Sequence, residues 1–127
     1  MKSLLISVFS LVILYLVCDS SEALTCYSCA GKGAACPVSP TQLQLKNMTL
    51  VDCQSVLSTN CAKYSVNLLN GEAYTYRACE PTYIGGTNSQ NATPFCNFVT
   101  TLYNPFITER LVAGSTCTVC QTTECNT

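Results

Sequence analysis

Cysteine content constrains this chain more than any other feature of its sequence. Ten of its eleven cysteines lie between positions 26 and 125, and the remaining one, Cys18, falls in an apolar N-terminal segment. Such a density is typical of small extracellular domains that disulfides stabilise, because these chains are too short to bury a large apolar core. The even number of cysteines outside the N-terminal segment means that every one of them can find a partner.

The N-terminal segment predicts export from the cell. An apolar run extends from Leu4 to Val17, and small residues follow at Ser21 and Ala23. This order is typical of a secretory signal peptide that is cleaved after Ala23. The alternative is a membrane anchor, but the run is shorter than the ~20 apolar residues that a spanning helix needs. We therefore expect residues 1–23 to be a signal peptide, residues 24–127 to form one domain, and the protein to be secreted and extracellular.

Charge and histidine content argue against several functional classes. Residues 24–127 contain five basic and five acidic side chains without a basic cluster, which argues against nucleic acid and anionic membrane surfaces as partners. Histidine is absent from the sequence, so the commonest general base and the commonest metal ligand are both missing. We therefore expect no catalytic residues, no enzyme activity and no cofactor.

Two C-x-x-C pairs, Cys26/Cys29 and Cys117/Cys120, raise the alternative of a Zn(Cys)₄ site or a redox couple. The expected oxidising compartment, the six further cysteines and the lack of a βαβ pattern argue against both uses. We therefore expect no metal and interpret all ten cysteines as disulfide-bonded. The sequence physics alone leaves hundreds of pairings open.

The segments between the cysteines predict an all-β fold with a short multi-stranded antiparallel sheet. Runs rich in Thr, Val, Tyr, Leu and Phe alternate with Gly, Pro and Asn, and we find no convincing helical periodicity. Asn70-Gly71 predicts a two-residue type I′ hairpin turn. In that register Leu69 pairs with Glu72 and Tyr64 with Arg77, where a cation–π contact could form.

Two further strand predictions flank this hairpin. A second hairpin is expected between Cys96 and Cys117, with its turn at Tyr103–Phe106, because Pro105 cannot occupy a central strand position. The apolar residues of this turn could form a contact surface or fold back on the sheet. Upstream, residues 43–53 alternate well enough to predict a strand that ends near Cys53.

Two sequons predict N-glycosylation, at Asn47 and at Asn91. Pro94 directly follows the second sequon and is expected to lower its occupancy. The alternative at either position is an unmodified asparagine.

The first and last cysteine motifs resemble those of the three-finger family, which includes the lymphocyte-antigen-6/urokinase-receptor proteins and snake neurotoxins. "LTCYSCAGKGAAC" at residues 24–36 has the C-x2-C-x6-C opening of that family, and "CQTTECN" at residues 120–126 has its closing C-x4-C-N. Vertebrate members usually have adjacent eighth and ninth cysteines, whereas Thr118 and Val119 separate them here. That spacing, together with "YRAC" at residues 76–79, resembles the invertebrate sleepless/quiver-like branch.

The resemblance implies a fold, a disulfide pairing and a structural role for one asparagine. The fold is a small disulfide-rich three-finger domain over residues 24–127. Asn126, which follows the last cysteine, is expected to hydrogen-bond into the core. The implied disulfides are Cys26–Cys61, Cys29–Cys36, Cys53–Cys79, Cys96–Cys117 and Cys120–Cys125.

The resemblance also implies a binding function. We expect a non-catalytic protein that binds and modulates a membrane receptor or ion channel of the nicotinic-receptor or potassium-channel type, or that acts as an extracellular signalling ligand. The alternatives are a structural, junction or body-fluid protein and an enzyme inhibitor. Members of the branch usually carry a lipid anchor, but only Asn126 and Thr127 follow Cys125, so no anchor signal is evident. The expected partner-binding residues are Leu68, Leu69, Asn70, Gly71, Glu72, Tyr103 and Phe106.

Overall fold

The structure is a computed structural model that describes residues 23–53, 59–85 and 92–127. The signal-peptide prediction for residues 1–23 therefore falls almost wholly outside the described residues, as does the sequon asparagine Asn91. The elements, in chain order, are β1 (Thr25–Lys32), a 3-10 turn (Gly33–Ala35), α1 (Gln42–Asn47), β2 (Thr49–Asp52), β3 (Thr59–Leu68), β4 (Ala73–Pro81), β5 (Tyr83–Ile84), β6 (Thr93–Pro94), α2 (Phe95–Thr108) and β7 (Val112–Cys120).

The main sheet has five antiparallel strands in the order β2-β1-β4-β3-β7, and β5 pairs with β6 in a small second sheet. The fold is thus small, disulfide-rich and mainly β, as the sequence predicts. Its central strands are β4 and β3, which the Asn70-Gly71 hairpin joins. The helix α2 packs on one face of the sheet, where Ala62, Phe95 and Val99 form a small buried cluster.

The central hairpin forms where the sequence predicts it, but its register differs by one residue. Tyr64 lies opposite Tyr76, and not opposite Arg77 as predicted. The turn has three residues instead of two, because the Leu68 amide donates to the Glu72 carbonyl over 2.8 Å. The predicted pairing of Leu69 with Glu72 is therefore wrong, and the register does not place Tyr64 opposite Arg77 for the possible cation–π contact.

Turn geometry and disulfides explain the observed register. The Gly71 amide donates to the Leu68 carbonyl, and Gly71 itself has a φ of 86°, as in a type I turn closed by a left-handed glycine. The same register places Cys61 directly opposite Cys79. A shift of one residue would turn these two side chains to opposite faces, although both must reach disulfide partners on the same face.

The second hairpin predicted between Cys96 and Cys117 is wrong, because its first half is the helix α2. Phe95, Val99 and Tyr103 recur every fourth residue, which places all three on the side that packs on the sheet. The disulfide from Cys96 to Cys117 fastens this helix to β7. Pro105 lies inside the helix near its C-terminal end, and so the predicted turn at Tyr103–Phe106 is helical.

The strand predicted over residues 43–53 is correct only in its second half. Residues 42–47 form α1, which begins with a capping box: the Gln44 amide donates to the Thr41 hydroxyl, and the Gln44 side chain accepts from the Thr41 amide. This reciprocal pair satisfies two amides at the start of the helix. The strand β2 then follows at Thr49–Asp52.

Candidate functional site

The disulfides are concentrated toward one end of the sheet, which we call the base. They join Cys26–Cys61, Cys29–Cys36, Cys53–Cys79, Cys96–Cys117 and Cys120–Cys125, and these are the pairs that the resemblance implies. Cys61 lies opposite both Cys79 and Cys120 across the sheet. The sulfurs of Cys26, Cys53 and Cys61 lie within 4.8 Å of one another, but each is already bonded in a disulfide and offers no thiolate to a metal.

Asn126 is buried at the base, with 3% of its surface exposed. Its Oδ1 accepts from the Tyr27 amide over 3.0 Å, and its Nδ2 donates to the Tyr27 carbonyl over 2.9 Å and to the Ala62 carbonyl over 3.0 Å. The side chain therefore connects the C-terminal segment to β1 and β3 at once. The structure thus places Asn126 in the role that the resemblance implies.

Arg77 is the largest fully buried side chain among the described residues. Its Nε donates to the Asn126 carbonyl over 2.7 Å, its Nη1 to the Pro37 carbonyl over 2.7 Å, and its Nη2 to the Val38 carbonyl over 3.1 Å. Carbonyl dipoles thus compensate this charge. Burial lowers the pKa of Arg77, and burial followed by repulsion from Arg77 lowers the pKa of Lys63 on the neighbouring strand.

The opposite end of the sheet, which we call the distal end, consists of the turn Leu68–Glu72 and the junction Glu109–Val112. The two segments lie side by side because Leu68 pairs with Val112. Leu69 is 65% exposed and Leu111 is 57% exposed. The distal end therefore presents large apolar side chains to solvent at the position most remote from the disulfides of the base.

A Schellman motif fixes the junction at the end of α2. The Leu111 amide donates to the Phe106 carbonyl over 2.8 Å, and the Arg110 amide donates to the Ile107 carbonyl over 3.0 Å. Arg110 adopts a φ of 57°, the left-handed conformation that this motif requires. The motif therefore ends α2 and turns the chain toward β7, and it leaves Leu111 exposed in the junction.

Hydrogen bonds also order the exposed turn. The Asn70 Oδ1 accepts from the Glu72 amide over 3.0 Å, and the Asn70 Nδ2 donates to the Glu72 carboxylate over 2.7 Å. The Lys32 ammonium lies 3.5 Å from the same carboxylate. The hydrogen bond from Asn70, followed by the charge of Lys32, lowers the pKa of Glu72. The turn is thus preorganised and electrically balanced.

The residues expected to bind a partner differ in their exposure to solvent. Leu69, Asn70, Gly71 and Glu72 are exposed in the turn, whereas Leu68 is half-buried. Phe106 is exposed on α2. Tyr103 is half-buried and its ring centroid lies 6.2 Å from that of Tyr64, so it belongs to the packing between α2 and the sheet more than to the surface.

Tyr64 anchors an aromatic cluster beneath α2. Its ring stacks on Tyr76 with centroids 4.8 Å apart, and the Tyr76 hydroxyl donates to the Glu80 carboxylate over 2.6 Å. Burial, followed by neighbouring tyrosines and Glu80, raises the pKa of Tyr64 to about 12. Burial and the bond to Glu80 likewise raise the pKa of Tyr76. These hydroxyls therefore remain protonated and serve in packing and hydrogen bonding.

Sequence reasoning missed three features of the site. The predicted hairpin pairs Arg77 with Tyr64 on one face, and nothing in that pattern indicates that Arg77 is fully buried. Leu111 was not recognised because the Schellman motif that positions it requires an unusual conformation at Arg110, a residue with no glycine-like signal. The exposed side chains of Phe98 and Leu102 were assigned to a strand, although their spacing of four residues fits a helix.

No family model, curated protein or solved structure matches this chain. Among the helices of the described residues, neither α1 nor α2 is long and apolar enough to cross a membrane.

Proposed function

We propose that this chain is an extracellular, non-catalytic binding protein of the three-finger type, of the sleepless/quiver-like branch, that binds and modulates a membrane receptor or ion channel through its distal end. The separation between the base and the distal end carries this proposal. Disulfides, Asn126 and Arg77 stabilise the base, while Leu69 and Leu111 remain exposed at the other end. Exposed apolar residues on a rigid support are typical of protein-binding surfaces.

The chemistry of the distal end suggests the kind of partner surface. Leu69 and Leu111 would fill apolar depressions, since large side chains in desolvated pockets carry most of the binding free energy at interfaces. The balanced pair Lys32–Glu72 and the adjacent Glu109 and Arg110 would form a polar rim of low net charge. The proposed partner therefore presents an apolar groove without a strong charge of either sign.

The proposal that the protein is not an enzyme rests on the sequence and on the state of its cysteines. Histidine is absent, and the ten cysteines of the described residues are all in disulfides. Neither a histidine base nor a free thiol nucleophile is therefore offered by these residues. Glycosylation belongs to the same proposal: Asn47 ends α1 and is exposed, so its sequon is accessible for modification.

A cell-surface binding screen tests this function. The tagged secreted protein would be applied to cells that each express one receptor or channel, and bound tag would be quantified. Leu69→Ser and Leu111→Ser should each reduce the affinity for the receptor so found by about tenfold or more, because each removes one buried apolar anchor. Leu43→Ser is the matched control, since Leu43 is 70% exposed on α1, which is not one of the two segments of the distal end.

Two results would contradict the proposal. One is the absence of binding to every receptor and channel tested. The other is a receptor whose affinity falls with Leu43→Ser but is unchanged by Leu69→Ser and Leu111→Ser, which would place the interface on α1.

A further inference from the structure

The helix α2 exposes a second apolar surface that the proposed receptor contact does not require. We call it the α2 flank and define it as Phe98, Leu102 and Phe106, which are 42%, 52% and 44% exposed. These residues are spaced by four and form one row of about 12 Å along the helix. The row that packs on the sheet begins at Phe95 and lies about 60° away around the axis. The apolar arc of α2 is therefore wider than the sheet covers.

Charged residues are absent from the segments that form α2 and β7. The sequence has no acidic or basic residue between Glu80 and Glu109, and none between Arg110 and Glu124. These two intervals contain the whole of α2 and the whole of β7, the strand to which the Cys96–Cys117 disulfide fastens the helix. Only Glu109 and Arg110 separate these two uncharged intervals, and their charges are of opposite sign. The Glu80 carboxylate lies on the sheet beneath α2 and accepts from the Tyr76 hydroxyl, so the α2 flank itself carries no charged side chain.

Three threonine hydroxyls of α2 already have hydrogen-bond acceptors within the helix. The hydroxyls of Thr100, Thr101 and Thr108 each donate to a main-chain carbonyl four residues earlier, over 2.8, 2.9 and 3.0 Å. These hydroxyl protons already have acceptors within the helix, so the cost of moving them out of water is reduced. They also offer few donors to a partner protein, whose interfaces usually contain about one hydrogen bond per 100–200 Å².

We infer that the α2 flank binds the surface of an electrically neutral phospholipid bilayer, with Phe98, Leu102 and Phe106 entering the boundary between headgroups and acyl chains. An uncharged apolar row complements zwitterionic headgroups, while an anionic surface would gain nothing from it because basic residues are lacking. The helix would lie parallel to the membrane and remain attached to the sheet. This binding would concentrate the protein at cell surfaces and goes beyond the receptor contact at the distal end.

Vesicle flotation tests the inference with the full secreted chain. Phosphatidylcholine vesicles are the probe, and vesicles that also contain phosphatidylserine are the comparison. The protein should float with both kinds to the same extent, at low and at high salt. Leu102→Ser should reduce the partition coefficient about tenfold, whereas the matched control Leu43→Ser should leave it unchanged.

A fluorescence measurement keeps the test independent of any folding defect. The chain contains no tryptophan, so Leu102→Trp introduces a single reporter on the α2 flank and Leu43→Trp introduces one on α1. Addition of phosphatidylcholine vesicles should shift the emission of Leu102→Trp to shorter wavelength and leave that of Leu43→Trp unchanged. Disulfide mapping of both variants would verify that they fold.

Three results would overturn the inference. The first is no flotation with phosphatidylcholine vesicles. The second is flotation only with phosphatidylserine that high salt abolishes, because this would indicate electrostatic binding. The third is a shift in the emission of Leu102→Trp that depends on protein concentration without lipid, because this would identify a second copy of the chain as the occupant of the α2 flank.

Discussion

The Nε of Arg77 donates a 2.7 Å hydrogen bond to the main-chain oxygen of Asn126. The side chain of Asn126 in turn bonds to the main chain at Tyr27 and Ala62. The two residues thus connect β4 with β1 and β3 through the C-terminal segment. In a domain with a small apolar cluster, this polar network works beside the disulfides to hold the base in one conformation.

Arg77→Lys should lower the free energy of unfolding by about 3 kcal/mol, because an ammonium cannot reach the three carbonyls that the planar guanidinium bridges. Denaturant unfolding with the disulfides intact provides the measurement. Arg110→Lys is the matched control, since Arg110 is exposed and the same exchange there should cost less than about 0.5 kcal/mol. Equal effects of the two substitutions would refute the role of Arg77.

Two substitutions at Asn126 should distinguish the contribution of the Oδ1 acceptor to stability from that of the Nδ2 donor. Asn126→Ala leaves the Tyr27 amide and two carbonyls without this partner, and we expect a loss of about 3 kcal/mol. Asn126→Asp keeps the acceptor but sets a carboxylate against the carbonyls of Tyr27 and Ala62, so it should be the more destabilising variant at neutral pH.

The pH dependence of the Asn126→Asp variant provides the check. Burial and the two carbonyls should raise the pKa of the new carboxyl in the folded protein above its unfolded value, against the smaller opposing effect of the Arg77 guanidinium that binds the main chain of this residue. Stability relative to Asn126→Ala should therefore rise as the pH falls toward acid, where the protonated carboxyl can donate one bond. A constant difference between the two variants across this pH range would contradict the assignment of the Nδ2 bonds.

Local cues in the sequence were sufficient for the class of the fold and for the position of the central hairpin. Asn70-Gly71 marks the turn in either case, because a two-residue loop and a three-residue loop both place a glycine with positive φ there. The choice between them depends on where Cys61 and Cys79 must lie to form their disulfides. Because that constraint involves residues far apart in the sequence, the local pattern predicted a hairpin register that differs from the observed one by one residue.

The helix α2 was missed because its composition favours strands. Its Phe, Val, Thr and Tyr residues have high β-propensity, and Pro105 indicated a turn. Packing of Phe95 and Val99 on the sheet overrides this preference, as tertiary contacts often do.

Arg77 was missed for a different reason: its carbonyl partners lie about 40 residues or more away in the sequence, and no local pattern distinguishes it from a surface arginine.

Arg110→Gly should stabilise the protein by about 0.5–1 kcal/mol. Arg110 has a φ of 57° at the position of the Schellman motif where glycine is usual, and a side chain there carries a conformational cost of about 1–2 kcal/mol. The greater freedom of glycine in the unfolded chain offsets part of this gain. Arg110→Ala is the control, because it removes the charge and keeps the strained conformation. The midpoint of thermal unfolding should be higher for Arg110→Gly than for Arg110→Ala and for the unaltered chain. A lower midpoint for Arg110→Gly would contradict the Schellman motif.

Stability should fall as the pH rises above 10. The pKa of Tyr64 is raised to about 12 in the folded protein, chiefly by burial, whereas an exposed tyrosine titrates near 10. Between these values the unfolded chain releases a proton that the folded chain retains, and so unfolding becomes more favourable. Rapid measurement of tyrosinate absorbance and of stability should show this loss, and Tyr64→Phe should reduce it. An unchanged pH profile in Tyr64→Phe would refute the raised pKa of this partly buried hydroxyl.

The central claim is that the distal end contacts the receptor, and a glycan placed on the turn tests it most directly. Glu72→Thr converts Asn70-Gly71-Glu72 into a sequon and should add a bulky glycan at Asn70. Glu72→Gln is the control, because it removes the same carboxylate without adding a glycan. We predict that the glycosylated Glu72→Thr protein loses receptor binding, that enzymatic trimming of the glycan restores it, and that Glu72→Gln binds within about threefold of the unaltered chain. Full binding by the glycosylated variant would contradict the account.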